Sequence, residues 1–383
     1  MDKPTVQDIF HRFYPAYLDQ YSPSPVQAKV AHNIMNCKTG AYGANVCVCE
    51  DCGFVQIHYN SCRNRCCPMC QAVPKEMWMD ARREDVLDAP YFHLVFTVPD
   101  ILNPVIYSNQ RLLYDALYHA ASSTISELTA DPKHLGAKVG YICILHTWGS
   151  EMNFHPHIHT ILLGGGLASN NQWKDNGENF FLPIRVISKM FRGKYLEELK
   201  RLWEEDKLVF HGTAEKFRNH YTFKELLDSC YGMDWIPHCK KTFNGAQTVI
   251  KYLGKYTHRI AVSNHRIVRM DDDTVTFLVK DYRNEGQWKE LTISGVEFVR
   301  RFLMHVPPRR FVRIRHYGLL CSRTKNQKLT LCRNLLGCKK YLSKLRDMEM
   351  PEILEHLYGI KVCVCKACGG HLGKPQMRMP LRC

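Results

Sequence analysis

Three histidines at every second position, His155, His157 and His159 in Phe154-His155-Pro156-His157-Ile158-His159, are the side chains of this 383-residue chain best placed to do chemistry. Alternate side chains of a strand point to one face, so these imidazoles would project together while Ile158 and Thr160 take the other side. A lone strand histidine is ordinarily a packed residue. Three at period two, leading into Leu162-Leu163-Gly164-Gly165-Gly166, favour a metal site. Neutral imidazole suits Mn, Fe or Zn, and accepts Mg when a carboxylate or a phosphate completes the shell. His146 and Glu151, just upstream, could add ligands. Further on, Tyr252-Leu253-Gly254-Lys255-Tyr256-Thr257-His258-Arg259 spaces two tyrosines four apart, on one face of a helix. Val249, Leu253, Tyr256 and Ile260 also make an apolar stripe, so alone the pair could be core. Beside a metal, a phenol becomes a nucleophile for a phosphodiester. With a reference pKa of about 10, the phenolate would need the metal, Lys251, Lys255, His258 or Arg259 to stabilise it.

The eighteen cysteines are grouped, and Cys49-x-x-Cys52 followed by Cys67-x-x-Cys70 has near zinc-ribbon spacing. Each CxxC turn can supply two thiolates to a tetrahedral ion, so Cys49, Cys52, Cys67 and Cys70 are the expected structural Zn2+ ligands. Cys37, Cys47, Cys62 and Cys66 are additional thiols and leave open a second ion or another ligand set. Cys365-x-x-Cys368 is half a ribbon motif, with Cys363, His371 or Cys383 as candidate partners. No basic start followed by an apolar run opens the chain, and no eighteen-residue apolar stretch occurs in it, so a soluble cytoplasmic protein is expected, without membrane contact. There, grouped cysteines read as metal ligands and not as disulfides.

The net charge of +15 is concentrated. From Phe298 to Arg346 there are fourteen Lys and Arg and no Asp or Glu. A solvated surface usually mixes both signs; a one-sign block containing Arg309, Arg310, Arg313 and Arg315 is the footprint of a phosphate-backbone binder. Arg63 and Arg65 could bring the cysteine module to DNA as well.

To position these groups, the sequence supplies a helix with Ile9, Phe10, Phe13, Tyr14, Tyr17 and Leu18 at helical spacing, ended by Pro23 and Pro25, and another helix from Pro74 to Leu87. Tyr91 to Val98 reads as a buried strand, Gln110 to Leu128 as a helix, and Val139 to His146 as the strand before the histidine strand. The triple glycine lacks a following Gly-Lys-Ser/Thr and reads as a turn. Val186 to Val209 and Gly245 to Ile260 read as helices, and Val275 to Val279 with Trp288 to Ile293 as a hairpin around Asn284-Glu285-Gly286. Phe311-Val312-Arg313-Ile314-Arg315 alternates like a strand with both arginines on one face. The expected fold is α+β: a central, mainly antiparallel sheet with helices on one face, preceded by a small zinc-ribbon-like domain. The expected division is a zinc-binding domain over 1–88, a nuclease domain over 89–297 and a basic DNA-binding region over 298–383.

Together these motifs resemble the rolling-circle insertion-sequence transposases of the HUH superfamily, two-tyrosine type. The pair His157-Ile158-His159 carries the resemblance, with Tyr59-Asn60-Ser61-Cys62-Arg63-Asn64-Arg65, Cys67-Pro68-x-Cys70-Gln71, the two-tyrosine segment and Phe311 to Gly318. Cys66 departs from the family, which usually has His there. The resemblance implies that a tyrosine, Tyr252 first, attacks single-stranded DNA at the element end, leaving a 5′-phosphotyrosine and a free 3′-hydroxyl, and that Tyr256 permits a second cleavage while the first strand is still attached. It also implies catalytic Mg2+ or Mn2+ on the histidines and DNA contacts from Lys251, Lys255 and Arg259. The site of action would be the bacterial cytoplasm, at the nucleoid; no protein partner is indicated. A replication initiator or relaxase would share this chemistry, and a catalytically dead zinc-dependent DNA-binding protein would keep the charge and the cysteines. The histidine-triad nucleotide hydrolases share His-x-His-x-His but are small domains without a ribbon or basic block.

Overall fold

The computed structural model describes residues 3–176, 182–235, 237–243, 249, 254, 260–281, 285–374 and 376–378. Helix α1 (Val6–Gln20) starts at a capping box between Thr5 and Asp8, and α2 (Pro25–Met35) at one between Ser24 and Gln27, with Pro25 in its first turn. The hairpin β1 (Ala44–Val48) and β2 (Val55–Tyr59) leads to α3 (Ala72–Arg83). Then come β3 (Tyr91–Thr97), α4 (Asn103–Ser108), α5 (Gln110–Ala130), β4 (Lys138–Trp148), β5 (Phe154–Leu167) and β6 (Trp173–Asp175). Helices α6 (Ile184–Glu204) and α7 (His220–Gly232) precede β7 (His238–Phe243), and β8 (Ile267–Met270), β9 (Thr274–Asp281) and β10 (Gln287–Ser294) form a separate antiparallel sheet. The chain continues through α8 (Gly295–Met304), β11 (Ile314–Gly318), α9 (Lys325–Leu336), α10 (Met350–Tyr358) and β12 (Gln376–Arg378).

The central sheet has the order β11-β4-β5-β3-β7, antiparallel throughout, with β6 added beside the end of β5. As the middle strand, β5 is covered on both faces, which accounts for Ile158 and Leu162 on one side and Ile161 and Leu163 on the other. On one face Phe92, Leu94, Phe96, Cys143, Leu145, Ile158 and Leu162 pack against α5, α6 and α7. On the other, Ile142, Ile144, Ile161 and Leu163 pack against Met79, Leu87, Val249, Leu329 and Cys332. Helices therefore lie on both faces, not on one; amphipathic patterning identifies helices but not which side of a two-sided sheet they cover.

The triple glycine is not a turn but part of β5. A Cβ on Gly165 would lie 2.4 Å from the Trp173 ring, and one on Gly166 would lie 2.5 Å from the Lys138 carbonyl oxygen. Glycine is required there because neighbouring strands close in on the backbone.

The three expected segments share their cores. α1 and α2 pack with β8, β9 and α8 through Ile9, Phe10, Val262, Phe277, Phe298 and Phe302. α3 in turn grips the basic block. The buried Asp80 carboxylate accepts from Tyr341 Oη at 2.6 Å, Ser343 Oγ at 2.6 Å and the Leu345 amide at 2.9 Å. Burial alone would raise this carboxyl; the hydrogen bonds from Ser343, Tyr341 and Leu345 outweigh it and lower the pKa. Lys325 pairs with Asp85 at 2.7 Å and Arg346 with Glu84 at 2.5 Å, so part of the basic block is neutralised internally. Among the described residues, no helix is long and apolar enough to cross a membrane.

Candidate active site and metal centres

The register of the sheet places His157 opposite His146 on β4, and His159 opposite Ile144 and Val95. Cross-strand partners share a face, so the imidazoles of His146, His157 and His159 converge, with their possible ligand atoms within 4.8 Å of one another. All three are buried. Burial pushes the His157 imidazole down to about 4 and the His159 imidazole well below its usual value, so both are neutral at physiological pH. The His157 Nδ1 lies 2.6 Å from the His155 carbonyl oxygen, which can only accept. Nδ1 therefore carries the hydrogen, and the His157 Nε2 lone pair faces the His159 Nε2, 3.0 Å away. Behind it, the His93 Nε2 lies 2.9 Å from the His159 Nδ1 and can set the tautomer of that ring.

Of the expected histidines, His155 lies outside this group. Its ring is partly exposed and hydrogen-bonds Asp100 through Nδ1 at 3.1 Å, because β5 has only just begun there. His146 takes the third position. Glu151 is exposed, and its carbonyl accepts from the Arg301 guanidinium at 3.0 Å. His93 was missed because Tyr91 to Val98 reads as an ordinary buried strand; the signal was a polar ring inside an apolar run.

Tyr252, Tyr256, Lys251, Lys255 and Arg259 lie outside the described residues. Of the expected helix from Gly245 to Ile260, the described positions Val249, Gly254 and Ile260 are all buried, and Val249 and Gly254 are helical. An ideal Cβ on Gly254 would fall 1.8 Å from the Met79 Sδ of α3, so this glycine makes the close approach its presence in a helix suggests.

The cysteines form two groups that regroup the expected ribbon. Cys37, Cys62, Cys67 and Cys70 face one another, as do Cys49, Cys52, Cys365 and Cys368. The two CxxC turns of the N-terminal segment thus serve different groups, since Cys49 and Cys52 sit at the tip of the β1–β2 hairpin while Cys67 and Cys70 sit in the turn just before α3. In the first group Cys62 Sγ and Cys70 Sγ are 3.8 Å apart, matching the edge of about 3.8 Å that a tetrahedron with 2.3 Å Zn–S bonds requires. Cys66 belongs to neither group. It is buried beside Cys67 but faces Arg65 and Arg313, and burial raises its thiol pKa.

The basic residues divide likewise. Arg309 and Arg310 are exposed. Arg313 is buried, before the strand begins, and Arg315 pairs with Asp115 and stacks 4.0 Å over the Tyr118 ring. β11 starts only at Ile314, so the two arginines do not form an exposed strand face. Arg65 is held by the Phe311 and Pro308 carbonyls, at 2.5 and 3.4 Å.

Residues 140–328 match the transposase family model Y2_Tnp, and residues 9–98 match the IS91 transposase zinc-binding domain. A Sinorhizobium fredii protein bearing the name of a transposase, y4qJ, is 40% identical over 369 residues, covering 95% of this chain and 93% of that protein. The chain belongs to the two-tyrosine, IS91-type transposases. The transposase is also 30% identical, over 79% of its length and 72% of the relative's, to the transposase for insertion sequence element IS801 of Pseudomonas savastanoi pv. phaseolicola. The conjugative relaxase TrwC in complex with oriT DNA aligns with 43% of the transposase and 71% of the relaxase chain at 13% identity and a TM-score of 0.25, too low to carry an argument. The zinc-binding domain of the transposase contains all four thiols of the first group and two of the second.

Proposed function

We propose that the transposase cuts single-stranded DNA at the ends of its element through a tyrosine. The phenol oxygen of Tyr252, with Tyr256 as the second nucleophile, bonds to phosphorus as the bond to the 3′ oxygen breaks. The phenol proton is lost, the 3′ oxygen leaves as a hydroxyl, and the 5′ phosphate stays on the enzyme. The energy of the phosphodiester is kept in that link, so rejoining to a new 3′-hydroxyl needs no other energy source. The element DNA places this activity in the bacterial cytoplasm, at the nucleoid.

The observation that carries this reading is the convergence of three buried imidazoles on the middle strands of the sheet, two of which, His157 and His159, burial keeps neutral. The His157 and His159 Nε2 atoms lie 3.0 Å apart, close enough to share one divalent ion, Mg2+ or Mn2+ in this reading. A divalent ion there would polarise a phosphate oxygen and offset transition-state charge. His157 keeps its lone pair available through its hydrogen bond to His155, and His93 holds His159 in place. Arg309, Arg310, Lys251, Lys255 and Arg259 serve the DNA backbone.

The test mixes purified protein with a labelled single-stranded oligonucleotide carrying the element end and Mg2+ or Mn2+, and resolves covalent adduct on a denaturing gel. Wild type, Tyr252→Phe, Tyr256→Phe, the double variant and His157→Ala/His159→Ala are compared. The expected outcome is a metal-dependent adduct, lost in the double tyrosine and double histidine variants. Adduct formation that survives both would overturn the proposal.

A further inference from the structure

We propose that Cys49, Cys52, Cys365 and Cys368 bind a second zinc ion that clasps the two ends of the chain into one zinc ribbon. The pairs lie more than three hundred positions apart, yet Cys49 Sγ is 3.5 Å from Cys368 Sγ and Cys52 Sγ is 3.8 Å from Cys365 Sγ. A disulfide needs about 2.05 Å. A tetrahedral tetrathiolate zinc site needs edges of about 3.8 Å.

The two halves are built alike. Each reads Cys-x-x-Cys-Gly, Cys49 to Gly53 and Cys365 to Gly369, and each glycine is left-handed, with φ of 71° and 78°. In each turn the glycine amide donates to the first cysteine's carbonyl, at 3.0 Å in both. In the second knuckle the Ala367 amide points at Cys365 Sγ and the Gly370 amide at Cys368 Sγ, both at 3.4 Å, an arrangement that stabilises thiolate charge. Strand pairing brings the halves together. β12 lies antiparallel to β1 from Ala44 opposite Arg378, Glu50 N donates to His371 O at 3.0 Å, and Gly373 N donates to Val48 O at 2.9 Å.

A ligand is required because this module has almost no core of its own. Its buried cluster is Cys47, Cys49, Cys365 and Leu372, and two of those four are ligands. Val55, Ile57 and Tyr59 of β2 stay about half exposed. Three short strands over so small a core are marginal in water, and metal binding is then the folding energy. Four thiolates in tetrahedral array with no open position describe a structural zinc site and not a catalytic one.

The full-length protein tests this without any DNA. Metal is counted per chain for wild type, Cys52→Ser, Cys368→Ser and the pair, each checked for folding by circular dichroism. Any ion on the histidines cancels in the differences. Each single variant is expected to lose the same ion, about one zinc per chain, and the pair to lose no more. Two ions lost in the pair, or none, would overturn the shared site, as would iron in place of zinc. Alkylation of native wild type, read by mass spectrometry, gives a second measure that needs no variant. Cys52, Cys368 and Cys363 are all exposed. A metal should protect Cys52 and Cys368 but not Cys363, and a chelator should release both together. Alkylation of Cys52 and Cys368 at the rate of Cys363 would refute the clasp.

Discussion

Gly254 stands between the two tyrosines in sequence, and its close approach to Met79 of α3 gives a quantitative handle on how that position packs. In Gly254→Ala the new methyl would lie 1.8 Å from Met79 Sδ, 3.0 Å from its Cγ and 3.4 Å from its Cε. Carbon and sulfur need about 3.5–4 Å, so one side must yield by about 2 Å. Sδ is in the middle of the side chain, and Met79 is itself buried in the core with Val249, Ile144 and Ile161, so rotation alone gives little relief. Overpacking of this kind costs about 1–3 kcal/mol, against about 1 kcal/mol gained by replacing a helical glycine. The expected net loss is up to about 2 kcal/mol, with slower adduct formation because the segment is displaced. Met79→Ala should lower stability by itself but make room for the methyl, so the double variant should show favourable coupling of about 1 kcal/mol or more. Urea denaturation and adduct yield on the four proteins of the cycle provide the assay. Effects that add to within about 0.5 kcal/mol would refute the contact as the reason for glycine.

Three further outcomes are expected. His93→Ala should weaken metal-dependent cleavage about 10–100-fold in metal affinity while leaving the rate at saturating metal largely intact, and an unchanged metal titration would remove His93 from its supporting role. His305, buried and bonded to Thr147 Oγ1 and Met152 O, has its imidazole pushed down to about 4, chiefly by burial. Because the unfolded chain takes up this proton first, the stability that neutral His305 contributes is complete above pH 6.5 and lost as pH falls toward 4. In His305→Asn the decline over that window should be shallower by up to about 3 kcal/mol, and superimposable curves would count against the argument. Asp80→Asn should cost about 2–3 kcal/mol in urea unfolding by weakening the charge-assisted bonds to Tyr341, Ser343 and Leu345; a loss below about 0.5 kcal/mol would show that α3 does not hold the basic block.

What was legible in the sequence was whatever local periodicity encodes. Period two at His155, His157 and His159 located the middle strand and its polar face, and the helices from 110 to 130 and 184 to 204 followed from their apolar stripes. What depends on which distant strand lies alongside was not. The exchange of His155 for His146, and the presence of His93, follow from cross-strand register. The regrouping of Cys49 and Cys52 with Cys365 and Cys368 is a contact across most of the chain, invisible to CxxC spacing. The arginines misled for a related reason: composition counts charges, but Arg313 and Arg315 are held inside by burial and by Asp115, whereas Arg309 and Arg310 lie at the surface.

The meeting of the two knuckles also sets an order of events during synthesis. Cys52 leaves the ribosome 313 residues before Cys365, which at about 5–20 residues per second is a wait of roughly 15 to 60 s. Through that interval the first hairpin has strands but no completed ion site, and its thiols must stay reduced. A reading frame broken near its 3′ end would therefore cost the protein a module encoded at its 5′ end. Damaged copies of the element would then yield chains whose first hairpin has lost its ion site, while the group of Cys37, Cys62, Cys67 and Cys70 is kept.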